Sequence, residues 1–298
     1  MSLNLQDLIF RFETWALKRL AVGTVLGYRR HLDRFAAAVG NVPVETLKAH
    51  HLLEWGETWH QIQAVQRLFN WATNDAELME RSPFNRVKRP RIGKRKRIFG
   101  RAELRAFMHA ARSDFRFYLF GLRETIARPQ EIRALAWEEI RSLDAKLTWE
   151  ESLRTGQSYF LVEEYKARLM RIDPDEPRII PISATLGRCL VRLARVLKST
   201  AGLIFRTYRG QPWTKEAVRL RMKRLRRKLG SVPDRRGENL VAYSVRHTMA
   251  TAAVARGVRD RVLADLMGHT STRTTARYQH LTPSHLVEAM GTLAPKPR

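Results

Sequence analysis

Towards the C-terminal end of this sequence, Arg246, His269 and Tyr278 interrupt stretches that are otherwise apolar and helix-forming. Those three residue types together can carry out a phosphodiester transfer. A phenolic oxygen attacks phosphorus, a guanidinium forks around the non-bridging oxygens, and an imidazole donates to one of those oxygens or holds the nucleophile's proton. Each residue also has an ordinary structural reading. His269, which follows a glycine, fits a helix C-terminal group interacting with the terminal dipole, and Tyr278 fits a half-buried core aromatic. A different function is open too: Gly257 and Gly268 punctuate two short helices over 254–277, the outline of a helix-turn-helix that reads DNA without chemistry. That outline leaves the polar trio unexplained.

Charge points to the same class of partner. The chain has 298 residues, with 55 Lys plus Arg against 29 Asp plus Glu, a formal charge of +26. A surplus of this size calls for a polyanionic partner or a very salty environment, and nucleic acid leads. Hydrophobic residues at 44% and charged residues at 28% are globular values, far from those of disordered chains. At roughly 100 to 200 residues per domain there is room for two domains. No uncharged run exceeds about ten residues, short of the roughly 18 a membrane span needs, so no membrane partner is expected. Asp7 and Arg11 break the first apolar stretch, which therefore lacks the core of a secretory signal. A single cysteine, Cys189, excludes an internal disulfide and a cysteine-rich zinc site. A cytoplasmic location is the expectation.

These residues need a scaffold, and the periodicity supplies one. Leu5, Leu8, Ile9, Phe12 and Trp15 form a helical stripe. Further helices are predicted over 22–39, 44–59 and 62–79, so that about four fill the first 85 residues. Between Arg86 and Arg101 there follow nine basic residues, no acidic ones, one proline and two glycines, a mixture that neither packs a core nor holds a strong helix. Its Arg86, Lys88, Arg89, Arg91, Lys94, Arg95, Lys96 and Arg97 suit a strap along a phosphate backbone; a solvated hinge or a localisation signal is the alternative. Helices are predicted again over 102–122 and 129–137. The pattern then changes to short strands, the first around Leu147 and Trp149, then 159–162 and 179–182, with turn formers at 173–177. Helices resume over 185–197, 214–229 and 244–255. Seven of the ten residues at 219–228 are basic, and Arg221, Lys223, Arg224 and Arg227 are candidates for DNA contact, against the alternative of a solvated surface helix. Arginine serves phosphate and base contacts alike, so sequence readout cannot be separated here.

Three motifs resemble those of the tyrosine recombinases, the phage-type integrases and Xer-type enzymes, and the similarity extends over nearly the whole chain. Thr125-Ile-Ala-Arg-Pro-Gln-Glu131 resembles the box around the family's first catalytic arginine, which assigns that role to Arg128, with Glu131 on the same helical face to orient it. Tyr243-Ser-Val-Arg-His247 resembles the His-x-x-Arg box and assigns the second arginine to Arg246. Leu266-Met-Gly-His269, followed nine residues later by Tyr278, resembles the box holding the second histidine position and the nucleophile. The segments 24–35, 69–72 and 81–84 are similar to the family's helical core-binding domain. The resemblance implies a mainly α fold with a small antiparallel β-sheet in two domains: a core-binding domain at 1–88, a basic linker at 89–99 and an α+β catalytic domain at 100–298. Two positions depart from the family pattern. Tyr243 stands where the box has histidine, exchanging an imidazole for a hydroxyl. The hairpin lysine is matched by Lys166, in Tyr165-Lys-Ala-Arg168, ahead of a long loop that also holds Arg168 and Arg171. His247 is expected to face away and pack.

What the resemblance implies is a site-specific recombinase or integrase. Tyr278 attacks the scissile phosphate to leave a 3′-phosphotyrosyl link and a free 5′ hydroxyl. Arg128 and Arg246 stabilise the pentacoordinate transition state, His269 and Tyr243 add hydrogen bonds, and Lys166 protonates the departing oxygen. The covalent link conserves the bond energy, so no cofactor, nucleotide or metal is expected; the sequence has no phosphate-binding loop ending in Lys-Ser or Lys-Thr, and no convincing two-metal carboxylate cluster. The implied partner is double-stranded DNA, closed upon by the two domains through the basic linker. A tetramer on DNA is implied as well, through a tail helix at Leu281, Leu286, Val287, Met290 and Leu293 that docks on a neighbouring protomer or else folds back on its own domain. Accessory DNA-bending proteins are compatible further partners. Two alternatives remain: a DNA-binding regulator of the same fold that has lost chemistry, which Tyr243 keeps open, and a type IB topoisomerase-like nicking and closing enzyme.

Overall fold

Leu5, Leu8 and Phe12 are buried along one face of α1 (Leu5–Leu17), as their spacing requires. They belong to the first of two compact units, residues 1–94 and 95–298, into which the computed structural model divides. The structure describes residues 3–91, 97–163 and 176–269. In the first unit, α2 (Val22–Val39) ends at Gly40, whose φ of 85° lets the chain turn out of the helix. The single helix expected over 44–59 is instead a 3-10 turn (Val44–Thr46) and a short α3 (Ala49–Trp55), and Trp59 already belongs to α4 (Trp59–Asn74). The break has a local cause. Thr58 caps α4 with Gln61 reaching back to the Thr58 amide at 2.8 Å, a reciprocal pair that starts a new helix. The helix expected to reach residue 79 stops at Asn74. Beyond it the chain folds back onto α4, because the buried Gln66 donates to the carbonyls of Phe84 and Val87 at 2.9 and 2.8 Å. Phe12, Phe35, Phe69 and Phe84 sit together in the core of this unit.

The second unit opens with its backbone tied down: Arg97 N–H donates to Glu238 Oε2 and Phe99 N–H to Thr248 Oγ1, both at 2.8 Å. The helix expected over 102–122 is two, α5 (Arg101–Ala110) and α6 (Ser113–Thr125). No proline or glycine marks the break. It is held by Arg116, whose Nη2 donates to the His109 and Ala111 carbonyls at 2.9 and 3.0 Å and so satisfies the end of α5. Phe115, Tyr118, Leu119 and Leu122 make α6 a central core element. After α7 (Pro129–Ala134) and a 3-10 turn (Trp137–Glu139) comes β1 (Ile140–Ser142). Leu147 and Trp149, expected in a strand, flank Thr148, which caps α8 (Trp149–Thr155) with Glu151. Then β2 (Ser158–Val162) and β3 (Arg178–Ile182) complete a three-stranded antiparallel sheet in the order β1-β2-β3, with Phe160 opposite Ile140 and Ile180, and Val162 opposite Arg178. Of the turn formers at 173–177, residues 173–175 lie outside the described residues. The unit continues through α9 (Ala184–Leu197), α10 (Lys215–Lys228), α11 (Ala242–Ala255) and α12 (Asp260–Met267). Gly187 of α9 is obligatory: a Cβ there would lie 1.8 Å from the Leu153 carbonyl oxygen of α8.

Candidate active site

The residues that converge do so on the C-terminal end of α12. Its last carbonyls, like those of any helix, are left over from the helix's own hydrogen-bond ladder and form the negative pole of its dipole, and that of Asp265 also accepts from the Gly268 N–H at 2.9 Å. Gly268, at φ 60°, terminates α12 in the left-handed conformation, and the His269 N–H closes back on the Ala264 carbonyl at 2.8 Å. Four successive carbonyls, those of Asp265, Leu266, Met267 and Gly268, are each taken by a guanidinium. Arg178 donates to the first two at 3.0 and 2.9 Å, Arg246 to the third, and Arg128 to the fourth at 2.6 Å.

Each arginine arrives by a different route. Arg128 precedes Pro129, a setting that disfavours helical backbone, and accordingly takes the extended N-cap position of α7 with proline as the first helical residue. Glu131 therefore orients it differently from two neighbours on a helix face: the carboxylate reaches back across the first turn, accepting from the Arg128 N–H at 2.8 Å and from Nη1 at 2.7 Å. Arg246 projects from α11 and is fully buried. Its Nη1 donates at 2.7 Å to the carbonyl of Ile126, a β-branched residue held at φ 55° where α6 ends, which is a strained conformation of the kind that concentrates at functional sites. Arg178 enters from β3, also buried, with Nε 3.3 Å from Glu131 Oε1.

The electrostatics follow from three guanidiniums gathered near one carboxylate, with which two of them pair directly. Burial pushes the Glu131 carboxyl up, but Arg178 and then Arg128, with the hydrogen bonds from Arg128, outweigh it and hold the group below its ordinary value. Burial pushes the Arg246 guanidinium down to about 10, with Tyr243 and Glu131 opposing and Arg128 and Arg178 adding to the fall. It remains a cation at neutral pH. His269 Nε2 lies 3.3 Å from Arg246 Nη2. Tyr243 and His247 share one face of α11, their rings edge to face at 4.6 Å, with the Arg246 guanidinium carbon 5.8 Å from the Tyr243 ring centroid. His247 is buried and packs.

Of the six residues singled out for chemistry, Arg128, Tyr243, Arg246 and His269 are thus gathered into one neighbourhood of the second unit. Lys166 and Tyr278 lie outside the described residues, as do Lys94, Arg95 and Lys96 of the basic segment and the tail helix expected beyond Tyr278. In the first unit Arg86, Lys88, Arg89 and Arg91 are exposed, Arg89 with its Nε on Gln66 Oε1 at 2.6 Å and its guanidinium over the Trp59 ring. Arg97 is ion-paired with Glu103 at 2.6 Å. On α10, Val218, Met222 and Leu225 face the core, while Lys223, Arg224 and Arg227 are exposed and Arg221 is half-buried. Arg178 went unnoticed in the sequence. The signal available was its place in the strand, two residues before Ile180 and four before Ile182, on the face that points inwards.

The model of the phage integrase family matches residues 99–285, a span that includes all six chemical candidates. The chain is 31% identical over 116 residues to the tyrosine recombinase XerA of Pyrococcus horikoshii, covering 38% of each protein. It is 34% identical over 95 residues to the tyrosine recombinase XerC of Bradyrhizobium diazoefficiens, covering 32% of this chain and 28% of that one. The matched segments therefore span well under two thirds of those relatives. Among solved structures, the Tn1549 transposon integrase in complex with transposon right end DNA superposes with a TM-score of 0.73 at 17% identity, over 98% of this chain and 100% of that one. A lambda integrase tetramer bound to a Holliday junction gives 0.73 at 14% identity, over 93% and 78%. At such identities the likeness speaks for the fold, which is mainly helical with a small antiparallel sheet, in the two-domain architecture of tyrosine recombinases. With more than half of its length matched, this chain belongs to the phage integrase family.

Proposed function

We propose that the chain is a site-specific DNA recombinase that cuts and rejoins strands through a 3′-phosphotyrosyl intermediate. The observation that carries this reading is the gathering of Arg128, Arg246 and Arg178 at the end of α12, where Arg128 and Arg178 share the one carboxylate of Glu131. Buried charge is costly unless it is paired, and here cations outnumber the anion. The Nε–H of Arg246 is buried with no hydrogen-bond partner among the described residues. A phosphate diester brings the missing negative charge and acceptor oxygens that a guanidinium can fork.

On this reading Arg128 and Arg246 stabilise charge on the equatorial phosphate oxygens, and His269 and Tyr243 add hydrogen bonds. Tyr278 is the nucleophile and Lys166 the general acid, roles that rest on the family pattern of their motifs. A phenol titrates at about 10, so the nucleophile needs the positive surroundings that the cluster offers. Residues 1–88 serve as core-binding domain, 89–99 as a basic strap and 100–298 as catalytic domain. Exposed cations at 86–91 and on α10 contact the DNA backbone. Exchange between two duplexes uses four active sites, and a tetramer on DNA is assigned accordingly. The test is a nicked suicide duplex that traps the covalent step. The wild type is expected to give a detergent-resistant protein–DNA adduct and Tyr278→Phe none; no adduct from the wild type, or an adduct from Tyr278→Phe, refutes the assignment.

A further inference from the structure

The strand β3 alternates between core and solvent: Arg178, Ile180 and Ile182 point inwards, Ile179 and Pro181 outwards. An arginine thus occupies a register position that its neighbours fill with isoleucine, and its side chain is only 1% exposed. Burying a guanidinium there is costly unless its donors are satisfied. Its two terminal nitrogens donate to one helix end, the carbonyls of Asp265 and Leu266, and its Nε is ion-paired with Glu131 Oε1 at 3.3 Å. The next two carbonyls of the same turn receive Arg246 and Arg128, and the residue after them is His269. The fit is close enough that a Cβ on Gly268 would lie 2.6 Å from the Arg178 guanidinium carbon.

We propose that Arg178 is a positioning residue of the phosphate site. From β3 it fixes the end of α12 and the Glu131 carboxylate in a single arrangement, which in turn sets the places of Arg128, Arg246 and His269. The inference rests on the recombinase reading above. Arg178 touches neither phosphate nor nucleophile in this scheme; it acts through the groups it holds. An arginine suits the task because its planar fork spans several acceptors at once, where a lysine offers a single nitrogen. Its cost in the strand is offset by the helix dipole, which favours cations at the C-terminal end.

The experiment measures single-turnover adduct formation on the nicked suicide duplex at saturating DNA, for the wild type, Arg178→Met, Arg178→Lys, Glu131→Gln and the Arg178→Met/Glu131→Gln double variant. Circular dichroism and filter binding establish that each is folded and binds DNA. Displacement of a positioned group by about 1 Å can cost on the order of a hundredfold in rate, and a loss of about that size is expected for Arg178→Met, with DNA affinity changed only a few-fold. Arg178→Lys is expected to recover part of the rate. Because the two side chains act through one arrangement, the double variant should be little slower than the slower single variant. A purely structural role would lower the melting temperature without this non-additivity in rate. Should Arg178→Met fail to fold, Arg178→Lys decides the matter: a folded variant cutting at the wild-type rate overturns the proposal, as does a double variant whose losses multiply. In both cases the wild-type adduct still forms, so the recombinase reading survives; absence of the wild-type adduct overturns both.

Discussion

Glu131 holds Arg128 twice, accepting from its backbone N–H with one carboxylate oxygen and from its guanidinium with the other. The same group faces Arg178, so its charge serves two cations. Removing one partner from a buried ion pair costs about 3–5 kcal/mol, and a loss in that range is expected for Glu131→Gln in denaturant unfolding. The pH dependence has a definite sign. A carboxyl whose pKa is depressed on folding contributes stability above its unfolded pKa of about 4.3, and that contribution is lost as pH falls through the lower folded value. Melting curves of the wild type and Glu131→Gln should therefore differ most near neutrality and draw together at acidic pH. A constant gap across the range would remove Glu131 from the ion-pair network.

Tyr243 bears on whether the hydroxyl does the work of the missing imidazole. If it donates to a phosphate oxygen, Tyr243→Phe keeps the ring packing on His247 and loses only that bond. Removing one such donor costs on the order of a hundredfold, so adduct formation by Tyr243→Phe should slow by at least about tenfold with unchanged thermal stability. Equal rates would assign Tyr243 to packing alone.

Gly268 combines a φ of 60° with contact to Arg178. Strain of this kind costs about 1–3 kcal/mol, and Gly268→Ala should lose stability within that range. Its adduct formation should fall as well, since the carbonyl that Arg128 uses is the one displaced. A variant as stable and as fast as the wild type would show that the end of α12 is looser than described.

Lys223, Arg224 and Arg227 lie on the exposed side of α10. Each phosphate contact adds about 0.9 to the slope of log affinity against log salt. Replacing Arg224 and Arg227 together by glutamine should flatten that slope by about 2 and weaken binding to all sequences alike. An unchanged slope would place this face away from DNA.

The covalent scheme also predicts that adduct formation continues after extensive treatment with EDTA. Loss of cleavage that added magnesium restores would contradict it.

Particular residues show how far the sequence could be read. The stripe of α1 and the bounds of α2 were legible because periodicity and a terminal glycine agree there. The break between α5 and α6 was not, since what makes it is a side chain reaching back from Arg116, a tertiary event without a local signal. Around Leu147 and Trp149, two apolar residues on either side of a polar one imitated strand alternation, whereas Thr148 with Glu151 was in fact a helix start written in the sequence. In the site, Arg128, Arg246 and His269 could be named from motif spacing, and the structure brings them together. Arg178 could not: its partners lie 87 and 88 residues further along the chain, and within its own segment it looks like the polar first residue of a strand.

The clasp around the end of α12 joins residues 140, 88 and 87 positions apart. Contacts of such range close late, after the loop-closure entropy between them has been overcome. During synthesis, a ribosome-bound chain that has not yet extruded residues 265–269 lacks the surface on which its arginines assemble. Premature termination upstream of that turn thus yields a polypeptide whose buried arginines have no helix end on which to gather.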